Sequence, residues 1–448
     1  MPGNVSGFCA SCRESGIALV FVITVCLGLV TVVLLFASAV AMESRGAGNA
    51  HAGAQAEQIV EGALRYVAFI LENSEDPGTS PDLDTYEQEA VEVGEGRFWL
   101  LGRDPGALHP RTPYYGLVDE ASKMNINTAS QDMLEYLPQM TSELAAAIVD
   151  WRDSDSDLTT GGAESANYLL LDPPYQCKNA EFETTAELRL VMGMTVEILY
   201  GEDTNQNHIL DSNEDDGDTN PPSDDRDGLL DAGLLPFVTV YSAEPNTTAD
   251  GQARVNINES DSAQVQQALE EELGDRAQVI AQALGQGSRR EWTSLLELFT
   301  EVDVTLEEAA SIEDALTVSD DDSARGLINV NTAPEEVLTC VPGIGTESAQ
   351  ELVSYRTGKT EDELASVAWV KEVLDKEAAV QAGPYLTVRS YQFTADITAV
   401  GKNGRGFRRT AFVLDTSGGE AVVVYRRDLC REGWPLGESA RTASEERS

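Results

Sequence analysis

Residues 17–42, IALVFVITVCLGLVTVVLLFASAVAM, constrain this chain more than any other stretch, because they contain no charged side chain. Their only polar side chains are the small hydroxyls of Thr24, Thr31 and Ser38. A helix of roughly 20 apolar residues crosses the ~30 Å hydrocarbon core of a bilayer, and this run exceeds that length. A soluble core helix would carry polar residues on part of its circumference, and this one carries none. A membrane-spanning helix is predicted over 17–42.

The span is preceded by a short polar leader ending Ser11-Cys12-Arg13-Glu14-Ser15-Gly16. A secretory signal peptide has a shorter apolar core before a small-residue cleavage site, although Ala37-Ser38-Ala39 imitates such a site. Arg13 and Glu14 before the span balance Glu43 and Arg45 after it, so the charge bias says little about orientation. From Glu43 to Asn73 the positions Ile59, Ala63, Tyr66, Val67 and Ile70 recur at spacings of three and four, which predicts an amphipathic continuation that packs on a sheet. Strands are predicted at 97–102 and 113–119, and after Gly383-Pro384 at 385–389, 391–400, 407–414 and 421–425. Turn residues Gly401-Lys-Asn-Gly404 and Ser417-Gly418-Gly419 separate the last three.

Between these two groups of strands the texture is helical. Met124-Asn-Ile-Asn-Thr-Ala129 returns as Ile328-Asn-Val-Asn-Thr-Ala333, with a shorter echo in Val255-Asn-Ile-Asn-Glu259. Each phrase reads as a strand-like entry followed by an N-cap. Further helices are predicted at 264–284, 292–299 and 305–316. The fold class is therefore α/β (α+β): a long N-terminal helix on an antiparallel sheet, with a large helical insertion.

Against 30 basic residues stand 77 acidic ones, a formal charge of −47. Such a surface repels phosphate backbones and attracts cations. The stretch INVNTAPEEVLTCVPGIG resembles a helix-hairpin-helix unit, whose glycine hairpin offers amides to a phosphate. Glu335, Glu336, Glu347 and Glu351 give that face the wrong sign, with Arg356 the nearest base, so a structural hairpin and no nucleic-acid partner are expected. The pair Cys9-x-x-Cys12 has no second pair to complete a zinc site, and Cys177, Cys340 and Cys430 are too far apart in sequence to assign a disulfide. No nucleophile–base arrangement, phosphate-cradling loop or His/Cys cluster is present, which points away from an enzyme.

The sharpest motif is Asp203 to Glu214, DTNQNHILDSNE. Counted as a twelve-residue calcium loop, it places Asp203, Asn205 and Asn207 at positions one, three and five. The Ile209 carbonyl falls at seven, an inward Leu210 at eight, Asp211 at nine and Glu214 at twelve. His208 occupies the sixth position, where Gly usually makes the turn. Downstream, Asp225, Asp227 and Asp231 repeat the core of the pattern around Gly228, with Ser223 and Leu234 at the ends. These form a second, incomplete loop, or Asp215, Asp216 and Asp218 join a shared site. The alternative is a solvated acidic loop in an acidic protein. A structural calcium ion is expected in the first loop.

These features together resemble the K-type minor pseudopilins of the general secretion pathway protein K family. The resemblance rests on Gly16-Ile17 before the apolar helix, on 119–129 (DEASKMNINTA), on Ile148-Val-Asp-Trp-Arg-Asp153, and on Tyr175, Lys178, Asn179, Glu187, Leu188, Val191 and Gly193. It continues in the second INVNTA and the closing strands. Most pseudopilins carry a Glu at the fifth mature position; Phe21 stands there, as the K-type subunits also lack this Glu.

The resemblance implies a leader at 1–16 cut by a prepilin peptidase between Gly16 and Ile17, with methylation of the new terminus. It implies a transmembrane helix at 17–42 and a pilin-like domain over 43–120 and 384–437. Between those parts lies an inserted helical domain at 121–383, with a loose tail at 438–448. The protein would sit in the inner membrane with its soluble part in the periplasm, capping a type II secretion pseudopilus beside I- and J-type minor pseudopilins. Calcium in the insertion is also a family property. Two other readings share these features: a membrane-anchored helix-hairpin-helix DNA receptor, and a minor pilin of a type IV system. Mass spectrometry of the chain from a host carrying the prepilin peptidase is expected to show an N-methylated terminus at Ile17. An intact leader, or a terminus after Ala39, would contradict the leader reading.

Overall fold

The computed structural model describes residues 11–437 except 75, 104–111, 218, 220, 221, 287–290 and 303. Cys9, His109, Asp218, most of the connection after Arg103 and the tail at 438–448 lie outside the described residues. A single helix runs Ser11–Glu72. Residues 18–51 are exposed throughout, with Phe21 at 70% and Phe36 at 71%. Among the described residues it is the one helix long and apolar enough to cross a membrane. The hydroxyls of Thr24, Thr31 and Ser38 donate back to the carbonyls of Val20, Leu27 and Leu35, each at 2.8 Å. None of the three therefore brings an unpaired donor into a bilayer. Farther along, Ala52, Ala56, Ile59, Val60, Ala63, Val67 and Leu71 form a buried stripe; of the expected face Ile59, Ala63 and Val67 lie in it, while Tyr66 and Ile70 are half-buried beside it.

That stripe lies on an antiparallel sheet in the order Val91–Val93, Gly96–Leu101, Gln392–Val400, Arg408–Asp415, Val422–Asp428. Alternation sends Phe98, Leu100, Phe393, Ile397 and Phe412 to the helix. It sends Trp99 and Leu101 to the opposite face, where Trp434 and Leu436 pack on them. Helix and sheet meet closely at Gly96, where a Cβ would lie 2.5 Å from Ile59 Cδ1 and 2.3 Å from the Val400 carbonyl. The expected strand at 113–119 reduces to Val118–Asp119, paired with Phe393 and Thr394, and one bridge between Tyr115 and Leu101.

The insertion contains three versions of one unit. Each opens with an Asn-x-Asn phrase and closes with a short strand that pairs parallel to it: Met124–Asn125 with Val238–Thr239, Val255–Asn256 with Leu316–Thr317, and Ile328–Asn329 with Leu386–Thr387. The first Asn of each phrase accepts from the amide two residues on, at 3.0, 2.9 and 2.9 Å. The second Asn donates to a distant carbonyl, that of Phe182, Trp292 or Leu364, at 3.0 Å in each case. The run 385–389 therefore belongs to the insertion and not to the sheet, because the amide of Val330 needs its acceptor, the Thr387 carbonyl at 2.9 Å. The helix expected at 264–284 is two helices, Ser262–Leu273 and Asp275–Gln286, separated by Gly274 at φ 53°. A left-handed residue there ends the first helix.

Sheet and insertion join at two consecutive buried carboxylates. Asp119 Oδ2 accepts from Ser390 Oγ at 2.6 Å, from Asn329 Nδ2 at 3.2 Å and from the Thr332 hydroxyl. Glu120 accepts from Lys123, from Thr239 at 2.5 Å and from Thr394 at 2.6 Å. Burial holds the Asp119 carboxyl above its usual range. Glu120 is just as buried, but Lys123 beside it and the two threonine hydroxyls bring it below its usual range.

A third buried carboxyl, Glu313, links the second and third units by accepting from the Val367 amide at 3.0 Å and from the Ser366 hydroxyl. Burial pushes Glu313 up to about 7, against the opposing pull of Ser366 and Arg389. The folded state therefore binds this proton more tightly than the unfolded chain does. The stabilisation is complete below the unfolded value of 4.5 and is lost as pH rises through about 7, at up to ~1.4 kcal/mol per pH unit. Glu313→Gln is expected to flatten the fall in thermal stability between pH 5 and pH 8; a variant with the wild-type slope would show that Glu313 ionises at no cost to the fold.

Candidate metal centre

The chain leaves the short helix Val196–Tyr200 through Gly201, at φ 58°, and enters the acidic loop. Asp203, Asn207 and Glu214 are buried, at 2%, 3% and 1% exposure, which is unusual for two carboxylates and a side-chain amide. Asp203 accepts from the amides of Asn207 and His208, both at 3.0 Å. Asn207 Oδ1 accepts from the Ile209 amide at 2.8 Å. Asp211 Oδ2 accepts from the side-chain amides of Asn205 at 2.7 Å and Asn207 at 3.0 Å. Glu214 closes the loop by accepting from the amides of Asp211 at 2.9 Å and Thr204 at 3.2 Å.

All six expected loop residues thus belong to one compact turn. The carboxylate oxygens of Asp203, Asp211 and Glu214 face these amides and do not converge within 4.8 Å of one another. Asn205 Oδ1 is buried without a hydrogen-bond partner among the described residues. Glu214 is pushed up to about 7, mainly by burial, with the charges of Asp203 and Asp211 adding to it. Carboxylates, amide oxygens and an orphaned oxygen form the donor set a hard cation takes, so the residues present fit calcium by their chemistry. His208 takes the left-handed conformation, φ 60°, that Gly would hold at this position, at a cost to a non-Gly residue. The inward apolar side chain is Ile209, at 5% exposure, while Leu210 is half-buried.

The second set behaves differently. Asp225, Asp227 and Asp231 are exposed, and each accepts from an amide two residues on, at 3.0, 2.7 and 3.0 Å. They do not gather round one point. Asp224, between the two sets, instead accepts from the amides of Asp216 at 3.0 Å and Gly217 at 2.8 Å.

What seats the first loop is distant in sequence. Arg409, at 0% exposure, pairs with Asp396 at 2.6 Å on the sheet and donates to the carbonyls of Gln206, at 2.7 Å, and Asn205. Asn207 Nδ2 donates to the Pro435 carbonyl at 3.0 Å. No local pattern around Arg409 or Pro435 announces these contacts.

At the glycine hairpin of the third unit Gly343 and Gly345 are both exposed, and a Cβ on Gly345 would meet nothing within 4 Å. A Cβ on Gly343 would lie 2.8 Å from the Ala378 carbonyl and 2.9 Å from Gln381 Cβ. Arg356, the nearest base, is buried and donates to the Val330 carbonyl at 2.7 Å.

With the fold and the loop in place, comparison with known families finds that residues 121–200 match the model described as type II secretion system (T2SS), protein K. The likeness to protein K covers residues 121–200 of the 448-residue chain. Comparison with curated proteins finds no match. Among solved structures, the chain is similar to the crystal structure of the GspK-GspI-GspJ complex from the enterotoxigenic Escherichia coli type 2 secretion system. The identity is 13% and the TM-score 0.41, covering 87% of this chain and 98% of the other. The protein K segment contains the first Asn-x-Asn phrase and the helix Ser142–Arg152, and it ends just before the acidic loop.

Arg409→Met is expected to strand Asp396 and the two loop carbonyls. The cost is about 3–5 kcal/mol, with faster amide hydrogen exchange across 203–214. Unchanged exchange there would mean that the loop holds itself without the sheet.

Proposed function

We propose that this chain is a minor pseudopilin that sits at the tip of the type II secretion pseudopilus and caps it, helping to initiate filament assembly. The observation that carries the reading is where the insertion leaves the sheet. A bare apolar helix continues into a helix packed on an antiparallel sheet, and a domain running from Glu120 to Ser390 grows from between two strands of that sheet. A subunit with such a spine joins a filament of like spines, and the bulk of the insertion obstructs another subunit above it. Phe21 in place of an acidic residue fits a position with no neighbour above to pair with. In this reading the prepilin peptidase cuts after Gly16, and the apolar helix holds the protein in the inner membrane with its soluble part in the periplasm. I- and J-type minor pseudopilins are its partners, by analogy with the GspK-GspI-GspJ complex of enterotoxigenic Escherichia coli.

Calcium is part of the proposal. Asp203, Asn205, Asn207, Asp211, Glu214 and the Ile209 carbonyl would hold it, and the bound ion would neutralise a buried acidic turn pressed against the sheet.

The test is co-expression of the full chain with the I- and J-type pseudopilins and purification in detergent. An equimolar three-chain complex is the expected result, and a chain that elutes alone would overturn the tip assignment. For the calcium part, ion at a hundred times its dissociation constant should stabilise the chain by about 2.7 kcal/mol. Asp203→Asn with Glu214→Gln should lose that gain; a melting temperature indifferent to calcium and chelator would remove calcium from the reading.

A further inference from the structure

A second group of acidic residues lies inside the protein K segment. Asp150 is on the last turn of the helix Ser142–Arg152, Asp153 caps that helix, and Glu164 caps the short helix Ser165–Tyr168. One carboxylate oxygen from each lies within 4.8 Å of the other two. Asp150 is 0% and Glu164 5% exposed. Each gives one oxygen to the local backbone: Asp150 Oδ1 accepts from the Thr159 amide and Glu164 Oε2 from the Ser165 amide, both at 3.2 Å. The remaining oxygens, Asp150 Oδ2 and Glu164 Oε1, are sealed from solvent without a hydrogen-bond partner among the described residues, as is Asp153 Oδ1.

Buried carboxylate oxygens are normally satisfied, and charges are normally paired. The neighbouring bases are engaged elsewhere. Arg152 donates to the carbonyls of Ile126 and Ala129, and Lys178 pairs with Glu187 at 2.7 Å and Glu183 at 3.6 Å. Gly162 leaves room beside the free oxygens, since a Cβ there would lie 2.2 Å from Asp150 Oδ2.

We propose that Asp150, Asp153 and Glu164 bind a divalent, oxygen-seeking cation of the calcium class, at a site separate from the 203–214 loop. Three carboxylates from two segments form the hard donor set such an ion takes. The ion ties the end of the helix Ser142–Arg152 to the connection that leads into Ser165–Tyr168. The site is independent of the proposed capping role and of any ion in the loop.

The test uses the full chain in detergent, stripped with chelator, in the Asp203→Asn/Glu214→Gln background so that the loop contributes nothing. Calcium bound per chain is counted by equilibrium dialysis, and terbium emission is excited through tryptophan, Trp151 being the neighbour of Asp150 in the chain. One bound calcium and sensitised emission that calcium competes away are expected. Glu164→Gln, which keeps the side chain's shape, should weaken binding at least tenfold. Gly162→Ala, which leaves all three carboxylates in place, should weaken it as well. Absence of binding in this background, or binding unaltered in both variants with wild-type circular dichroism, would overturn the site. Because the count is made without the loop ligands, failure of the loop reading leaves this result unaffected.

Discussion

The architecture depends on the pair of carboxylates at Asp119 and Glu120. They lie where the chain leaves the sheet, and they accept from the places where it returns. Asp119 takes the side chains of Asn329, Thr332 and Ser390 from the third unit, and Glu120 takes Thr239 from the first unit and Thr394 from the sheet. An insertion attached only at its two ends would hinge on them. Here consecutive buried acids tie the outgoing strand to the incoming one, and the cost of leaving any of these groups unpaired in a low-dielectric setting makes the arrangement all-or-none. Lys123 offsets the charge of Glu120, while Asp119 relies on hydroxyls and an amide, which is why Glu120 lies below its usual range and Asp119 above it although burial raises both.

The same economy recurs in the three units of the insertion. Each is small and closes on itself through one parallel strand pair, with asparagine and threonine side chains completing the backbone hydrogen bonds that so short a strand leaves open. The acidic loop is the elaboration of the first unit. Its residues organise one another locally, but its place against the sheet comes from Arg409 and the Pro435 carbonyl. Those two contacts hold the loop where the insertion and the pilin-like sheet face each other, so its local order and the alignment of the two parts are coupled.

Legibility in the sequence followed the range of the interactions. The spine helix, its apolar and then amphipathic halves and the acidic loop are local patterns, and they read directly. The opening phrase of each unit was visible because Asn-x-Asn is a compact signal. The closing phrase was equally present, as Val238-Thr-Val-Tyr-Ser242, Leu316-Thr-Val-Ser319 and Leu386-Thr-Val-Arg-Ser390, but its alternation reads as an ordinary strand. Only the pairing shows that Thr239, Thr317 and Thr387 repeat one role, each accepting from the amide two residues on at 3.1, 3.3 and 3.0 Å. Comparing the three runs with one another would have found the repeat and kept Leu386–Thr387 out of the sheet.

By itself the sequence determined a membrane-length apolar helix, a sheet divided by a helical insertion, the resemblance to protein K and the members of the acidic loop. Each of these is a matter of periodicity, spacing or short-range hydrogen bonding, encoded in contiguous residues. The tertiary structure alone decided which strands pair, where the loop docks, and that Asp150, Asp153 and Glu164 come together. Those facts depend on residues brought close by the packing of separate segments. Burial, which makes an ordinary acid costly and therefore informative, is a property of the folded chain and not of any stretch of it.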